Sequence, residues 1–274
     1  MPELPEVETV ARGLSERIVG KTIRGVNLRR ADLREPFPEN LQELLSGRKI
    51  ISVGRRAKYI LIRLDNSSIL VLHLGMSGSI TVRRAKNYRP RKHDHVLITL
   101  EDGNLMILND PRRFGLLTVV KNSALENHKL FRFLGLEPLS NKFTEKALIA
   151  LLKNKNTNVK TAIMDQNLVV GVGNIYAAES LYLAGISPIR NSRKITLQEA
   201  GKLAKSIKNV LCAAIEAGGS TISDYRSAIG KSGKFQVKFQ VYGRAGKKCV
   251  RCSNKIKSIR QNGRSTFYCA VCQT

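Results

Sequence analysis

Hydrophobic residues near the amino terminus follow the spacing of a helix. Apolar residues three or four positions apart fall on one helix face: Val7, Val10, Leu14 and Ile18. Pro5 is favourable in a first helical turn, and Glu6 and Glu8 lie where the positive end of the helix dipole stabilises acidic groups. Gly20 then predicts the end of this helix.

The pattern changes to short β-branched runs, separated by turn residues, from about residue 21 to residue 120. The runs that predict strands are 49–53, 59–64, 69–74, 79–82, 95–100, 105–108 and 116–120. At least six strands at this spacing favour a β-sandwich or barrel.

Helical patterns return after about residue 125, and they predict helices over 144–153, 173–184 and 196–217. The last helix begins with a capping box of Thr196 and Glu199 and ends at Gly218-Gly219. Cys212 lies beside its apolar face and is predicted to be a buried, unreactive thiol. The pattern therefore predicts an α+β fold, with an amino-terminal helix, a β-sandwich or barrel and a helical domain after it.

The net charge points to an anionic partner. The 274 residues include 47 Lys and Arg against 21 Asp and Glu, which gives a formal charge of +26 and a pI of about 10.3. DNA, RNA, a ribosome and an anionic lipid all remain open, because phosphate neutralisation does not depend on sequence. The charge is concentrated in residues 220–274, which contain twelve Lys and Arg and one acid, Asp224.

Composition excludes two classes of protein. With 42% hydrophobic residues and a mean hydropathy of −0.18, the chain is not a disordered polycation. No apolar run reaches the roughly 18–20 residues of a membrane span, and the acidic start is unlike a secretory signal. We expect a cytoplasmic protein with no membrane partner and, at roughly 150 residues per domain, two domains.

Four of the five cysteines form two closely spaced pairs near the carboxyl terminus. Cys249 and Cys252 are separated by two residues, and so are Cys269 and Cys272. Two such pairs match a closed, tetrahedral structural zinc site and no open catalytic one. Four unrelated buried thiols are the alternative, which a tail this short and polar disfavours. The surrounding Lys and Arg side chains fit a nucleic-acid contact, although zinc ribbons also bind proteins.

The extreme amino terminus allows two interpretations. Removal of Met1 would leave Pro2 with a free secondary amine, which can attack an aldehyde-like carbon and form a Schiff base. Glu3 beside it is a candidate to transfer protons. The other interpretation, which this segment alone favours, is a proline-containing helix entry without chemistry.

Sequence blocks along the chain resemble the bacterial formamidopyrimidine-DNA glycosylases, also called 8-oxoguanine DNA glycosylases. The blocks lie in the same order over nearly the whole chain and end in the four-cysteine tail: 2–8 (PELPEVE), 55–59 (RRAKY), 73–78 (HLGMSG), 92–95 (KHDH), 110–115 (DPRRFG), 164–165 (MD), 168–176 (LVVGVGNIY) and 241–243 (VYG). Their combination is far more specific than any one block.

This resemblance implies a DNA-repair enzyme that excises oxidised purines, 8-oxoguanine and formamidopyrimidines, and then cleaves the abasic strand by β- and δ-elimination. It implies Pro2 as the nucleophile, Glu3 as the acid and base, Glu6 as a supporting group and Lys58 as the active-site lysine. In isolation, Lys58 reads as an ordinary strand lysine.

The resemblance also implies contacts to damaged double-stranded DNA. Met76, Arg112 and Phe114 match the side chains that fill the space left by the extruded nucleotide, where apolar and planar groups replace the lost stacking. Four further residues match phosphate ligands: His73, Asn174, Tyr242 and Arg264. Taken alone, His73 reads as a core histidine and Phe114 as a core residue.

Two segments receive no functional assignment. His93 and His95 face the same way on a predicted strand, but no further metal ligand is evident, so we interpret this block as structural. The basic segment 226–238 is predicted to be a mobile loop, and no residue of 229–235 is assigned to base recognition.

The resemblance predicts a catalytic β-sandwich domain over 1–130, a helical DNA-binding domain with a helix–two-turn–helix over 131–240, and a zinc finger with a β-hairpin over 241–274. We expect a monomer with one structural Zn²⁺ in the bacterial cytoplasm, associated with the nucleoid through DNA. Two rival functions remain: the sister activity on oxidised pyrimidines, and a non-catalytic DNA-binding protein. Leu4 disfavours the first, since those relatives typically begin Pro-Glu-Gly-Pro, and Pro2, Glu3 and Lys58 together disfavour the second.

Overall fold

The structure is a computed structural model that describes residues 2–220 and 233–274. Two compact units make up the chain. The first unit comprises Met1–Arg132 and Ala217–Lys234, and the second comprises Phe133–Glu216 and Phe235–Thr274.

The first unit begins with helix α1, Leu4–Ile18. Glu3 is its N-cap residue, and a capping box joins Glu3 and Glu6, because each side chain accepts the backbone N–H of the other. The predicted apolar face is buried, as Val7, Val10 and Leu14 have at most 1% exposure. The helix prediction is confirmed, with the capping box as an addition.

Two four-stranded antiparallel sheets follow α1. One has the order β1–β6–β7–β5 and the other β2–β3–β4–β8. The strands are β1 (Ile23–Leu28), β2 (Ile50–Arg56), β3 (Tyr59–Leu64), β4 (Ser68–His73), β5 (Ser79–Arg84), β6 (Asp94–Leu100), β7 (Asn104–Asn109) and β8 (Leu116–Lys121), and a short helix α2 (Leu41–Leu45) lies between β1 and β2. One hydrophobic cluster contains residues of α1 and of both sheets, which is the layered core expected of a sandwich.

The second unit is built on four helices: α3 (Glu145–Lys153), α4 (Val159–Met164), α5 (Asn174–Ala184) and α6 (Leu197–Glu216). Thr144 caps α3 through the N–H of Ala147, and the predicted capping box of Thr196 and Glu199 begins α6. Helix α5 is apolar on all sides and is buried along most of its length.

A β-hairpin of β9 (Lys257–Gln261) and β10 (Arg264–Tyr268) completes the second unit. It shares a hydrophobic cluster with α5, in which Tyr182 meets Cys249 and Cys269. The predicted α+β fold is thus confirmed, including the helical region and the hairpin.

Several local predictions differ from the structure. The sequence pattern predicts neither strand β1 nor helices α2 and α4. The buried Ile23 and Val26 of β1 lie three residues apart and do not alternate, and α2 and α4 have only five and six residues. Cys212 is exposed on α6, so the prediction of a buried thiol is wrong. Cys212 follows the buried Leu211, and successive residues of a helix point about 100° apart around its axis. Leu197, the first residue of α6, is half-exposed although the apolar pattern of the helix includes it.

Of the predicted basic loop 226–238, only its last residues are described; Phe235–Lys238 form a short 3₁₀ helix, and 226–232 lie outside the described residues. Among the helices that are described, none combines the length and the apolar character needed to cross a membrane.

Candidate functional site

The first turn of α1 concentrates buried carboxylates beside Pro2. Pro2 is buried, and Glu3 and Glu6 are 4% and 2% exposed. The Oε2 atom of Glu6 accepts the Glu3 N–H at 2.8 Å, and its Oε1 atom accepts the N–H and hydroxyl of Ser220 at 2.8 and 3.1 Å. The two carboxylate oxygens of Glu6 therefore fix the backbone at Glu3 and at Ser220, and Glu3 directly follows Pro2.

Lys58 lies in the two-residue turn between β2 and β3. It is 7% exposed, and Ala57 before it adopts a positive φ of 53°. Arg55 stabilises this turn by donating to the Ala57 carbonyl at 2.8 Å, and it also donates to the Glu8 carboxylate at 2.9 Å. The Glu8 contact ties the turn to α1. The fold thus holds the segment before Lys58 against the helix that begins beside Pro2.

The charge of Glu8 is maintained despite partial burial. Burial raises its pKa, but the hydrogen bonds and charges of Arg12 and Arg55 outweigh this effect and lower the pKa below its usual value.

Met76, Arg112 and Phe114 lie on two loops of the first unit, 74–78 and 110–115, which we call the void-filling loops after the role that the sequence resemblance implies for these side chains. Met76 is 40% exposed and Phe114 is 46% exposed, so both large apolar side chains are open to solvent on these loops. The Arg112 guanidinium lies 4.9 Å from the centre of the Phe114 ring. A planar cation and an aromatic ring thus form one exposed pair.

His73 ends β4, directly before the first void-filling loop. Its Nδ1 atom accepts the N–H of Gly75 at 3.0 Å, and its ring lies 4.9 Å from that of Tyr59. Burial, reinforced by the charges of Arg34 and Lys58, lowers its pKa to about 4. His73 is therefore neutral at physiological pH and offers Nε2–H as a donor.

Asn174 is the first residue of α5, where backbone N–H groups and the helix dipole favour an anion. Lys160, itself 2% exposed, donates to the Asn174 side-chain oxygen and to the Thr266 hydroxyl. The Asn174 amide donates in turn to the Ser265 carbonyl at 2.9 Å. These bonds join α4, α5 and β10 at Asn174. Gly173, directly before Asn174, is the N-cap residue of α5.

Tyr242 is held by a buried carboxylate of α5. Glu179, 4% exposed, accepts the backbone N–H groups of Gln240, Val241 and Tyr242 at 2.9, 3.0 and 2.8 Å. Burial raises the pKa of Glu179, although these three bonds and Arg244 oppose the shift. Arg264 begins β10, beside the turn of the hairpin, and is exposed.

The four paired cysteines converge in the second unit. All four Sγ atoms lie within 4.8 Å of one another, with 3.9 Å between Cys249 and Cys272 and 3.5 Å between Cys252 and Cys269. The sulfur atoms of a tetrahedral Zn²⁺ site with bonds of about 2.3 Å would be about 3.8 Å apart, so the residues fit this ion.

The surroundings of Cys249 also favour its thiolate form. Burial raises its pKa, but hydrogen bonds from the Tyr182 hydroxyl and from backbone N–H groups reverse this and hold the pKa at about 6. A thiolate is the form that binds a metal.

Comparison with known proteins covers both units. Residues 1–117 match the formamidopyrimidine-DNA glycosylase N-terminal domain, 134–226 match the formamidopyrimidine-DNA glycosylase H2TH domain, and 246–274 match the zinc finger found in FPG and IleRS. A formamidopyrimidine-DNA glycosylase of Xanthomonas axonopodis pv. citri is 50% identical over 273 residues, covering 100% of both chains.

Solved structures of the same family resemble this chain in fold. Lactococcus lactis Fpg (MutM) in complex with DNA containing N7-benzyl-Fapy-dG has a TM-score of 0.91 at 36% identity, over 99% of each chain. The same protein with DNA containing an abasic site has a TM-score of 0.90 at 34% identity, over 99% of each chain.

The chain belongs to the formamidopyrimidine-DNA glycosylase family. It is a DNA glycosylase with abasic-site lyase activity that excises oxidised purines and binds damaged DNA. Its four-cysteine cluster is the zinc-finger site of the family and takes one structural Zn²⁺. The sequence resemblance is thereby confirmed at the level of family, fold, reaction and metal.

The structure places the predicted residues of this glycosylase in two sets. The first unit contains Pro2, Glu3, Glu6, Lys58, His73, Met76, Arg112 and Phe114, and the second contains Asn174, Tyr242, Arg264 and the cysteines. The individual roles stay predictions. Among the described residues, the four cysteines form the one group able to hold a metal, while His95 bonds to the backbone of Asp110 at 2.8 Å.

Sequence reasoning assigned no role to Asp110 and Glu179, whose buried carboxylates bond to segments that hold predicted site residues. An acid inside the apolar pattern of α5 is a visible signal for Glu179. Asp110 before Pro111 indicates a turn and nothing more.

Proposed function

We propose that the Pro2 amine, exposed by removal of Met1, carries both steps of the reaction on oxidised purines in duplex DNA. The observation that supports this most strongly is the buried pair Glu3 and Glu6 at the start of α1, locked by a reciprocal capping box. These bonds hold the Glu3 backbone directly beside the Pro2 amine.

The amine forms a bond to C1′ of the damaged nucleotide, and the bond from C1′ to the base breaks as the base leaves with a proton. The sugar ring then opens to an iminium ion, which acts as an electron sink. Loss of a C2′ proton expels the 3′-phosphate, and a second elimination expels the 5′-phosphate. Water finally releases the amine.

Glu3 moves protons onto and off the sugar in this scheme, because it is adjacent to Pro2 in the chain and its backbone is held by Glu6. Glu6 acts by positioning Glu3. Lys58, fixed in the β2–β3 turn, supplies positive charge for the phosphates beside the lesion.

Met76, Arg112 and Phe114 fill the space left by the extruded nucleotide. Their exposure supports this role, and the Arg112 guanidinium is able to pair with the edge of the orphaned cytosine. His73, Asn174, Tyr242 and Arg264 bind phosphates. Neutral His73 does so as a hydrogen-bond donor and not as a charge.

The zinc finger supports DNA binding from residues 241–274, the helical segment 131–240 contributes Asn174 and Tyr242, and catalysis belongs to 1–130. We place the enzyme in the bacterial cytoplasm, on the nucleoid. Bound Zn²⁺ supplies no chemistry to the reaction and holds the hairpin folded.

A cleavage assay on four matched duplexes tests the proposal. The duplexes carry 8-oxoguanine, a formamidopyrimidine, thymine glycol or an abasic site. We expect cleavage of the two purine lesions and of the abasic site, with products that carry phosphates at both ends of the gap. Preference for thymine glycol would favour the oxidised-pyrimidine activity, and binding without any cleavage would contradict an enzyme.

A further inference from the structure

We propose that Asp110 joins the two void-filling loops into one rigid body, so that Met76 and the pair Arg112 and Phe114 enter the duplex together. The inference rests on the proposed void-filling role and deepens it. Asp110 is a positioning residue here, since it touches neither DNA nor the reacting atoms.

The Asp110 side chain bonds to both loops. Its carboxylate is fully buried, at 0% exposure. The Oδ1 atom accepts the hydroxyl of Ser77 at 2.8 Å, and the Oδ2 atom accepts the backbone N–H of Gly115 at 2.7 Å. Ser77 directly follows Met76, and Gly115 directly follows Phe114. One carboxylate therefore fixes the residue next to each exposed apolar side chain.

Two further contacts join the loops. The Ser77 oxygen accepts the backbone N–H of Arg112 at 3.3 Å. Gly75 has a positive φ of 59°, and a Cβ atom there would lie 2.4 Å from the carbonyl carbon of Phe114. Only glycine permits this backbone approach, because any side chain would push the loops apart.

The Asp110 backbone is fixed from the sheet behind it. His95 Nε2 donates to the Asp110 carbonyl at 2.8 Å, and the Asp110 N–H donates to the His93 carbonyl at 3.0 Å. This gives the His93–His95 block a structural role. The loops are therefore connected to β6 through Asp110 and to each other through its carboxylate.

Rigid coupling of the loops lowers the entropy that must be lost when the side chains enter the base stack. Two independent loops would each lose conformational freedom on entry, whereas two joined loops have lost much of it already in the free protein. A buried carboxylate is also a strong link, because hydrogen bonds to a charged acceptor are stronger than bonds between neutral groups.

Amide hydrogen exchange of the free full-length protein, measured residue by residue, tests the coupling directly. Ser77→Ala removes the link but does not touch Gly115, so we expect the Gly115 amide to exchange roughly tenfold faster. Asp110→Asn should likewise accelerate hydrogen exchange of the Gly78 amide. This amide lies in the other loop, and it donates to the Leu74 carbonyl and not to Asp110. Ser79→Ala is the matched control, because its half-buried hydroxyl takes no part in these bonds. If each substitution accelerated amide exchange only in the loop that carries it, the proposal would be overturned.

Single-turnover excision then tests the consequence. With Ser77 present, the combined effect of Met76→Ala and Phe114→Ala should be smaller than the product of the single effects by about fivefold. In the Ser77→Ala background the two effects should multiply to within about twofold. Equal coupling in both backgrounds would contradict the proposal.

The proposed void-filling role can fail separately. If Met76→Ala and Phe114→Ala leave excision unchanged, that role is wrong, and the exchange of Gly115 and Gly78 alone decides whether Asp110 couples the loops.

Discussion

The Glu6 carboxylate accepts the backbone N–H of Ser220 at 2.8 Å, across a separation of 214 residues. Its other oxygen holds the backbone of Glu3. One buried side chain thus connects the residue beside Pro2 with the end of the described segment after α6. Any change at Glu6 acts on both backbones at once.

Glu6→Gln should lower both stability and excision. An amide offers one acceptor oxygen where the carboxylate offers two, so one of the two backbone N–H groups loses its partner. We expect a loss of about 1–3 kcal/mol in the free energy of unfolding, measured in urea. Glu16→Gln, exposed on the same helix, should change it by less than about 0.5 kcal/mol. An unchanged stability in Glu6→Gln would show that these bonds contribute nothing.

Borohydride should trap the protein covalently on lesion-containing DNA through Pro2, because reduction fixes the iminium ion. Pro2→Gly keeps a primary amine and should retain part of the lyase activity while excision falls steeply. Peptide mapping of the trapped complex is the measurement. A cross-link at Lys58 with Pro2 unmodified would overturn the mechanism and leave the enzyme class intact.

Arg112→Ala should weaken the preference for lesions opposite cytosine. In the proposed role the guanidinium pairs with the orphaned base, and one such contact discriminates by about 1–3 kcal/mol. Single-turnover rates with cytosine or adenine opposite the lesion measure the effect. Arg113→Ala, at a neighbouring exposed position, is the control. If Arg112→Ala kept the full preference, its role at the orphaned base would be abandoned.

Purified active protein should contain one Zn²⁺ per chain by elemental analysis, and chelation should weaken DNA binding. Tyr182→Phe should release Zn²⁺ to a chelating dye faster, by about threefold to tenfold, because the hydroxyl 3.1 Å from the Cys249 sulfur stabilises that thiolate. Tyr268→Phe, at the end of β10, also removes one phenol hydroxyl and should release Zn²⁺ at the wild-type rate. Active protein without zinc would rule out the structural ion.

Stability should fall between pH 7.5 and pH 5 partly through His73. Its pKa is about 4 in the folded protein and about 6.5 in the unfolded chain, so the unfolded state takes up the proton first as pH falls. This contribution is complete above pH 6.5 and is lost as pH approaches 4. From pH 7.5 to 5 it amounts to about 2 kcal/mol.

His73→Asn keeps an acceptor for the Gly75 N–H and should remove this part of the pH dependence. Urea unfolding of both proteins at the two pH values measures the difference, in which other titrating groups such as His95 and His128 cancel. An equal loss in both proteins would show that His73 does not titrate in this way.

Local sequence patterns determined the elements whose cause is local. Strand β3 has the predicted bounds 59–64, and the capping box at Thr196 forms as expected, because alternation and capping depend on residues a few positions apart. The zinc cluster was also predictable, because two Cys pairs, each separated by two residues, are typical of a tetrahedral zinc site. Pattern failed for Cys212, because a position at the border of an apolar helix face is buried only if a neighbour covers it.

Only the tertiary structure decided where the buried carboxylates act. The partners of Asp110 include Ser77, 33 residues away, and those of Glu179 lie 61–63 residues away, at 240–242. Sequence shows each acid as one charge among many. Burial removes the water that would otherwise solvate the charge, so the carboxylate needs protein donors, and only the folded chain brings those donors within reach.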